Sequence, residues 1–288
     1  MTNLQIFAAC VAIWGSTWLA ITFQLGKVAP EASVFYRFLL ASALLFAWCL
    51  ARGLPLAYKA REHAWIALQG ILMFSVSYVF VYYAEQHVVS GLVAVGYSAS
   101  PLLNGLGMHL FFGQPMSRRV WVGSLLGIAG ITLVFWPEFA HLRDDRSTAL
   151  GAFFTAIAVV VSALSSIAAH RNQDAGLPIW QTMAWGMLYG AVFSLAWTLA
   201  VGEPLGFEAT APYVLSLVYL AILGSIVAFA GYLTLLKRIG AARAGYIGVM
   251  VPIVALVISS FFEGFRWQAL TWAGIAVSVA GNAIILRR

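Results

Sequence analysis

Four side chains recur three and four residues apart in one apolar run: Ser75, Tyr78, Tyr82 and Glu85. On a helix they share a face. A buried tyrosine hydroxyl needs a partner, and a cavity lined with aromatic rings suits apolar or aromatic solutes. Tyr78 lies about 12 Å from the end of its run by helix rise, too deep for an aromatic belt. Tyr82 and Tyr83 lie nearer that end, where the belt is the commoner role. Tyr97, Pro101 and Asn104 make a similar face in the next run, and Trp14, Thr17 and Trp18 do so in the first. Ser162 and Ser166 face together in the sixth, although serines more often serve close helix packing. Tyr246 is the matching candidate in the second half of the chain.

Charge at depth is scarce. Arg37 sits a few residues inside its run, and Glu85 lies at about the same depth. A lone charge there costs about 2.5–3.5 kcal/mol on insertion scales, so an Arg37–Glu85 salt bridge is expected. The functional alternative makes Arg37 a partner for a solute carboxylate, or the pair an outer gate. His109 and His170 are expected to pack, although either can titrate near neutral pH. Glu263 is expected at the outer surface. Cys10 and Cys49 are expected to be buried free thiols.

Other chemistry lacks its residues. The chain has no phosphate-binding G-x-x-x-x-G-K-[ST] loop, no H-E-x-x-H, no C-x-x-C and no G-x-S-x-G. No cofactor or metal is expected, and the chain is read as not an enzyme. With no chain of carboxylates at depth, facilitated movement down a gradient is expected ahead of proton coupling.

The elements that position these residues must lie in lipid. Of the 288 residues, 62% are hydrophobic and 9% charged, against about 25% charged in soluble domains. Crossing the hydrocarbon core takes about 20 apolar residues. Such runs fall at 4–24, 31–51, 64–86, 90–112, 119–137, 149–170, 178–201, 211–236, 243–263 and 268–286. The expected fold is therefore an all-α integral membrane protein with ten transmembrane helices. Continuous apolar runs exclude a β-barrel, whose strands alternate. The first run, with no Lys or Arg before Lys27 and no small-residue cleavage site, reads as a retained helix.

With the N-terminus inside, eleven of the sixteen Lys and Arg fall in the inner connections and four in the outer ones. Lys and Arg accumulate on the cytoplasmic side, so both termini are expected there, in a bacterial-type inner membrane. The net charge of +6 is this bias, and no nucleic-acid partner is expected. Nor does the sequence call for an obligatory protein partner. The expected partners are the bilayer and a small-molecule substrate.

A displacement of 151 residues brings Pro101 onto Pro252, Phe111 onto Phe262, Gly113 onto Gly264 and Trp121 onto Trp272. It also brings Gly123 onto Gly274, Ala129 onto Ala280 and Gly130 onto Gly281. The chain thus reads as two copies of one unit, 1–137 and 149–288, joined by a polar linker at 138–148. Each copy has five spans, an odd number, so the second enters the membrane from the opposite side. Inverted repeats of this kind suit alternating access. Pro101 and Pro252 each free the carbonyl four residues earlier, on Tyr97 and Gly248. Two broken helices meeting near mid-membrane are a pointer to a transport site, unless both are ordinary packing kinks. Gly123 with Gly127, and Gly186 with Gly190, read as close-packing faces.

Trp14-Gly15-Ser16-Thr17, Tyr36-Arg37-Phe38 and Phe262-Glu263-Gly264 with Trp272 and Gly274 resemble the EamA-like branch of the drug/metabolite transporter superfamily. The resemblance covers the whole chain. It implies ten helices in two five-helix repeats and export of small metabolites, including amino acids as in exporters of the YddG type. Two positions depart from the family pattern. Phe112 stands where Glu263 has its equivalent, and no tryptophan lies near Ala163. The function read from the sequence is export of amino acids, aromatic or otherwise apolar, or related metabolites. The alternatives are a membrane enzyme on lipid-soluble substrates, a proton-coupled multidrug or metabolite exporter and, weakest, a channel without a visible filter.

Overall fold

The computed structural model describes residues 1–113, 115, 118–140, 146–244 and 246–286; the side chains of Pro101 and Tyr246 lie outside the described residues. Among the described residues the fold is all helix. In order come α1 (Asn3–Thr22), α2 (Pro30–Ala51), α3 (Ala60–Ile71), α4 (Ser77–Glu85), α5 (Ser90–Gly96), α6 (Ser100–Phe112) and α7 (Arg118–Ala140). Then follow α8 (Arg146–Asp174), α9 (Ile179–Ala200), α10 (Ala211–Tyr219), α11 (Ala228–Ala244), α12 (Tyr246–Phe262) and α13 (Ala269–Leu286). Among the described residues, six helices are long and apolar enough to cross a membrane: Asn3–Thr22, Pro30–Ala51, Ala60–Glu85, Arg146–Asp174, Ile179–Ala200 and Ala211–Tyr232. Shorter apolar stretches lie at Trp121–Val134, Met250–Phe262 and Ala269–Gly281.

Local sequence sets the helix ends. Thr2 and Gln5 form a capping box on α1, and Pro30 opens α2 where its missing N–H has no intrahelical partner to lose. Gly113 closes α6 in the left-handed region at φ 65°, and Gly264 follows α12 at φ 73°, 151 residues later. The first residues of α3 and α10, and of α7 and α13, are also 151 apart.

Two wide π turns interrupt the helices. Leu72–Val76 joins α3 to α4, and Leu220–Val227 joins α10 to α11. Such turns disturb the i→i−4 ladder, and side chains take up polar groups beside them. The Ser225 hydroxyl donates to the Leu220 carbonyl at 2.9 Å, and the Trp14 indole donates to the Gly224 carbonyl at 3.1 Å. In the first turn Ser75 Oγ lies 2.6 Å from Ser194 Oγ on α9. Ser75 therefore packs between helices.

Helices meet backbone to backbone at glycines. A Cβ on Gly130 would fall 2.5 Å from the Gly274 carbonyl oxygen, and one on Gly274 would fall 2.5 Å from that of Gly130. Gly281 meets Gly123 and Gly127 in the same way. Helix α7 therefore runs antiparallel to α13 over a small-residue seam. Gly186 and Gly190 of α9 pack on Gly70 and Phe74. Packing is thus the work of both glycine pairs. Helices α2 and α9 are antiparallel too, with Phe46 on Trp185 and Trp48 on Trp180.

The connections sort to two ends. At one end Lys27 pairs with Glu208 at 3.0 Å, Tyr83 donates to Glu31, and His87 Nδ1 lies 2.9 Å from Ser147 Oγ. At the other, Arg238 donates to the Met1 carbonyl, Trp185 donates to that of Leu56, and Arg171 lies over the Trp65 ring. Cys10 and Cys49 are buried and free.

Candidate functional site

The residues expected to line a solute site divide into a central group and scattered others. Arg37 is the centre of the group. It is 1% exposed, and its guanidinium carbon lies 4.4 Å from the Tyr78 ring centroid and 5.1 Å from that of Phe38. A desolvated cation on an aromatic face is worth about 2 kcal/mol or more. Its Nε and Nη2 each reach Ser225 Oγ at 3.4 Å, so Arg37 ties α2 to the second wide turn. Tyr78 is half-buried, packed edge-on against Phe38 at 5.0 Å.

Around this centre, the Tyr97 ring packs against Trp18 at 5.3 Å, tilted by 59°, and its hydroxyl lies 3.1 Å from Ser77 Oγ. Ser77 in turn donates to the Ala158 carbonyl of α8. Thr17 packs where a Cβ on Gly224 would fall. Trp14, Thr17 and Arg37 thus meet at the second wide turn, with Tyr78 on Arg37, while Trp18 and Tyr97 pair with each other against the same hydrophobic core as Tyr78. Trp14 uses its N–H on that turn, and its ring packs on Phe229 and Tyr232. Its role here is to wedge the turn.

Three expectations need correction. Arg37 and Glu85 form no salt bridge; Arg37 is held instead by Tyr78, Phe38 and Ser225. Both oxygens of Glu85, 7% exposed, lack a hydrogen-bond partner among the described residues, as do Arg37 Nη1 and Gln24 Nε2. Tyr82 is fully buried and donates to Gln24 Oε1 at 2.5 Å, which removes it from any surface belt. Glu263 is half-buried and accepts from the Ser90 backbone N–H, Ser90 Oγ and Ser259 Oγ. A carboxylate beside the first turn of α5 is stabilised by the N–H groups that the helix leaves free.

The proline pair also differs in detail. Pro101 enters α6 in its first turn, after a 3-10 turn at Tyr97–Ala99, whereas Pro252 lies inside continuous α12. Pro252 lines a crevice of about 10 Å³ with Val95, Ser98 and Ser278, room for at most one water. A larger cavity of about 290 Å³ lies where Gly96 and Ala99 face Ile128 of α7 and Thr155 and Val160 of α8. None of the expected solute residues whose side chains are described lines it. Asn104 Oδ1 is buried without a partner, Ser166 donates to the Ser162 carbonyl, and Tyr246 is outside the described side chains. Gln24, Ser77 and Ser225 went unremarked in the sequence, where an uncharged polar side chain in or beside an apolar run gives no sign of the partner it will meet.

A bundle of apolar helices with a polar and aromatic core of this kind defines a multi-span membrane protein. The chain belongs to the EamA-like transporter family, whose model matches it twice, over residues 2–136 and 149–287. It is a membrane transporter. The uncharacterized inner membrane transporter YedA of Escherichia coli is 29% identical over 293 residues, covering 98% of this chain and 90% of that protein. Protein PecM of Dickeya dadantii is 25% identical over 91% of this chain and 84% of its own. A crystal structure at 19% identity superposes with a TM-score of 0.72 over 98% of this chain and 96% of that one. At that identity the likeness shows the fold alone.

Proposed function

We propose that the chain exports amino acids, aromatic or otherwise apolar, or related small metabolites, by alternating access of two inverted five-helix halves. The halves are 1–137 and 149–288, ten spans in all, with 138–148 between them and both termini cytoplasmic. The contact of α7 with α13 carries this reading. Under the 151-residue displacement Gly123 corresponds to Gly274 and Gly130 to Gly281. Gly130 meets Gly274 and Gly123 meets Gly281, which is the exchange of partners that a two-fold axis produces. An axis relating these two antiparallel helices would cross them at right angles, as inverted halves require. The double match to one family model and the pairing of wide turns support the same view.

Trp18, Arg37, Tyr78 and Tyr97 are the proposed solute site, with Trp14, Thr17, Tyr82, Pro101, Asn104, Ser162, Ser166, Tyr246 and Pro252 as outlying members. Its rings suit an apolar side chain, and its one cation suits a carboxylate. A second reading, export of a lipophilic metabolite, is favoured by the 290 Å³ apolar cavity. Counterflow into sealed liposomes, run against a panel of amino acids and lipophilic amines, separates the two. Saturable exchange of phenylalanine, tryptophan or leucine is the expected result. Tyr78→Ala should lower that exchange about tenfold, a loss of about 1.4 kcal/mol, in protein that still elutes as a folded species. Unchanged exchange by that variant removes Tyr78 from the site; no exchange of any amino acid by the parent defeats the amino-acid reading.

A further inference from the structure

Glu85 closes α4 with no water able to touch either carboxylate oxygen and no hydrogen-bond partner for either among the described residues. Arg37, equally sealed, keeps Nη1 without a partner. Two opposite charges stripped of water gain most by closing to contact, yet these stay apart. Tyr78 and Ser225 hold the guanidinium where it is. The groups that face Glu85 are Arg37 from α2, Glu263 from the end of α12, Tyr97 from the 3-10 turn and Tyr82 from its own helix. Gln24, just past the end of α1, and Ser90 of α5 do not titrate, and Arg146 at the start of α8 is exposed. Glu263 already takes three hydrogen bonds, so the negative charge at this end has its partners there and not on Glu85. Any solute or water would need room beside the Glu85 oxygens. A proton needs none.

We propose that Glu85 is a proton-carrying site, protonated in this sealed arrangement and emptied when the end of α4 opens. In the opening step the Glu85 O–H bond breaks and the proton passes to the water admitted at that end. The carboxylate left behind draws Arg37, which supplies the balancing charge. Resting on the carrier reading, this makes each cycle an exchange of one proton for one solute. It differs from the expectation of facilitated flow, which rested on the lack of a chain of carboxylates at depth, in that a single carboxylate suffices.

Infrared spectroscopy of the purified full-length protein at neutral pH tests the protonation without any solute. The carbonyl band of a protonated carboxylic acid is expected in the parent and lost in Glu85→Gln. In liposomes that exchange phenylalanine, a gradient of one pH unit should drive about tenfold accumulation by the parent at one-for-one exchange. Glu85→Gln should bring that accumulation down to the level without a gradient. A parent with no such band, or a band that survives in the variant, overturns the proposal. Saturable exchange that ignores the gradient overturns it too while leaving the carrier standing. Absence of all flux defeats the carrier reading and leaves the band to decide on Glu85. Where the glutamine variant does not fold, the parent's band and gradient response still decide.

Discussion

Gly70→Ala is expected to cost about 3 kcal/mol and to leave little folded protein, the upper end for an overpacked core. The added Cβ would stand 2.2 Å from the Gly186 carbonyl oxygen, 2.6 Å from its Cα and 2.7 Å from its carbonyl carbon. All three are backbone atoms, so no side chain can turn away. Helices α3 and α9 would have to part by roughly 1 Å, and interiors this dense transmit such a strain. Gly190, whose own Cβ position lies 2.9 Å from the Gly70 oxygen, would lose its seat in the same movement. Gly248→Ala is the control. Among the described residues nothing lies within 4 Å of its Cβ position, and alanine gains about 1 kcal/mol of helix propensity. Thermal unfolding of both variants in one detergent checks the contrast. Equal melting of Gly70→Ala and the parent would show that α3 and α9 are not packed this closely.

Replacing Arg37 is expected to have the largest effect on transport. Its guanidinium touches the Tyr78 and Phe38 rings on the first half and Ser225 on the second. One buried group therefore holds the proposed solute ring and a wide turn together. Arg37→Ala removes the cation and opens a void, and initial counterflow should fall at least about tenfold. Arg37→Lys should recover little of it. An ammonium keeps the charge, but it lacks the plane that stacks on Tyr78 and the fork that reaches Ser225 with two nitrogens. Full flux in the lysine variant would mean that charge alone matters at this position. Elution profiles of both variants separate lost transport from lost fold.

Helix extents could be read from the chain because apolar run length is dictated by the solvent, and α2, α9 and α13 begin and end within a few residues of their runs. The Gly-Gly seams were legible for a similar reason, since close approach tolerates few residue types. The wide turns were not. Leu72–Val76 and Leu220–Val227 are as apolar as an ordinary helix, and an added residue in a turn leaves no compositional mark. Depth was also easier to read than direction around the helix. Arg37 and Glu85 share a depth, which suggested a pair, yet Tyr78 and Ser225 claim the arginine first. Glu263 was placed at the surface by its position after a span. Its carboxylate instead turns inward because α5, distant in sequence, offers it the Ser90 N–H. The tyrosine stripe on α4 was legible as a face, but its members serve different neighbours: Tyr78 meets Arg37, and Tyr82 meets Gln24.

The wide turn at Leu72–Val76 has a bearing on how such chains tolerate change in length. Each residue of an α-helix advances the direction of its side chain by about 100°. Deleting a single amino acid there, and letting the rod close into regular α-helix, swings everything beyond it by that angle without breaking the rod. Tyr78, Tyr82 and Glu85 would then lose Arg37, Gln24 and the sealed corner in one stroke. A one-codon loss at this spot is thus a rotation applied to an entire functional face, whereas the same loss in the loop before α3 only shortens a tether.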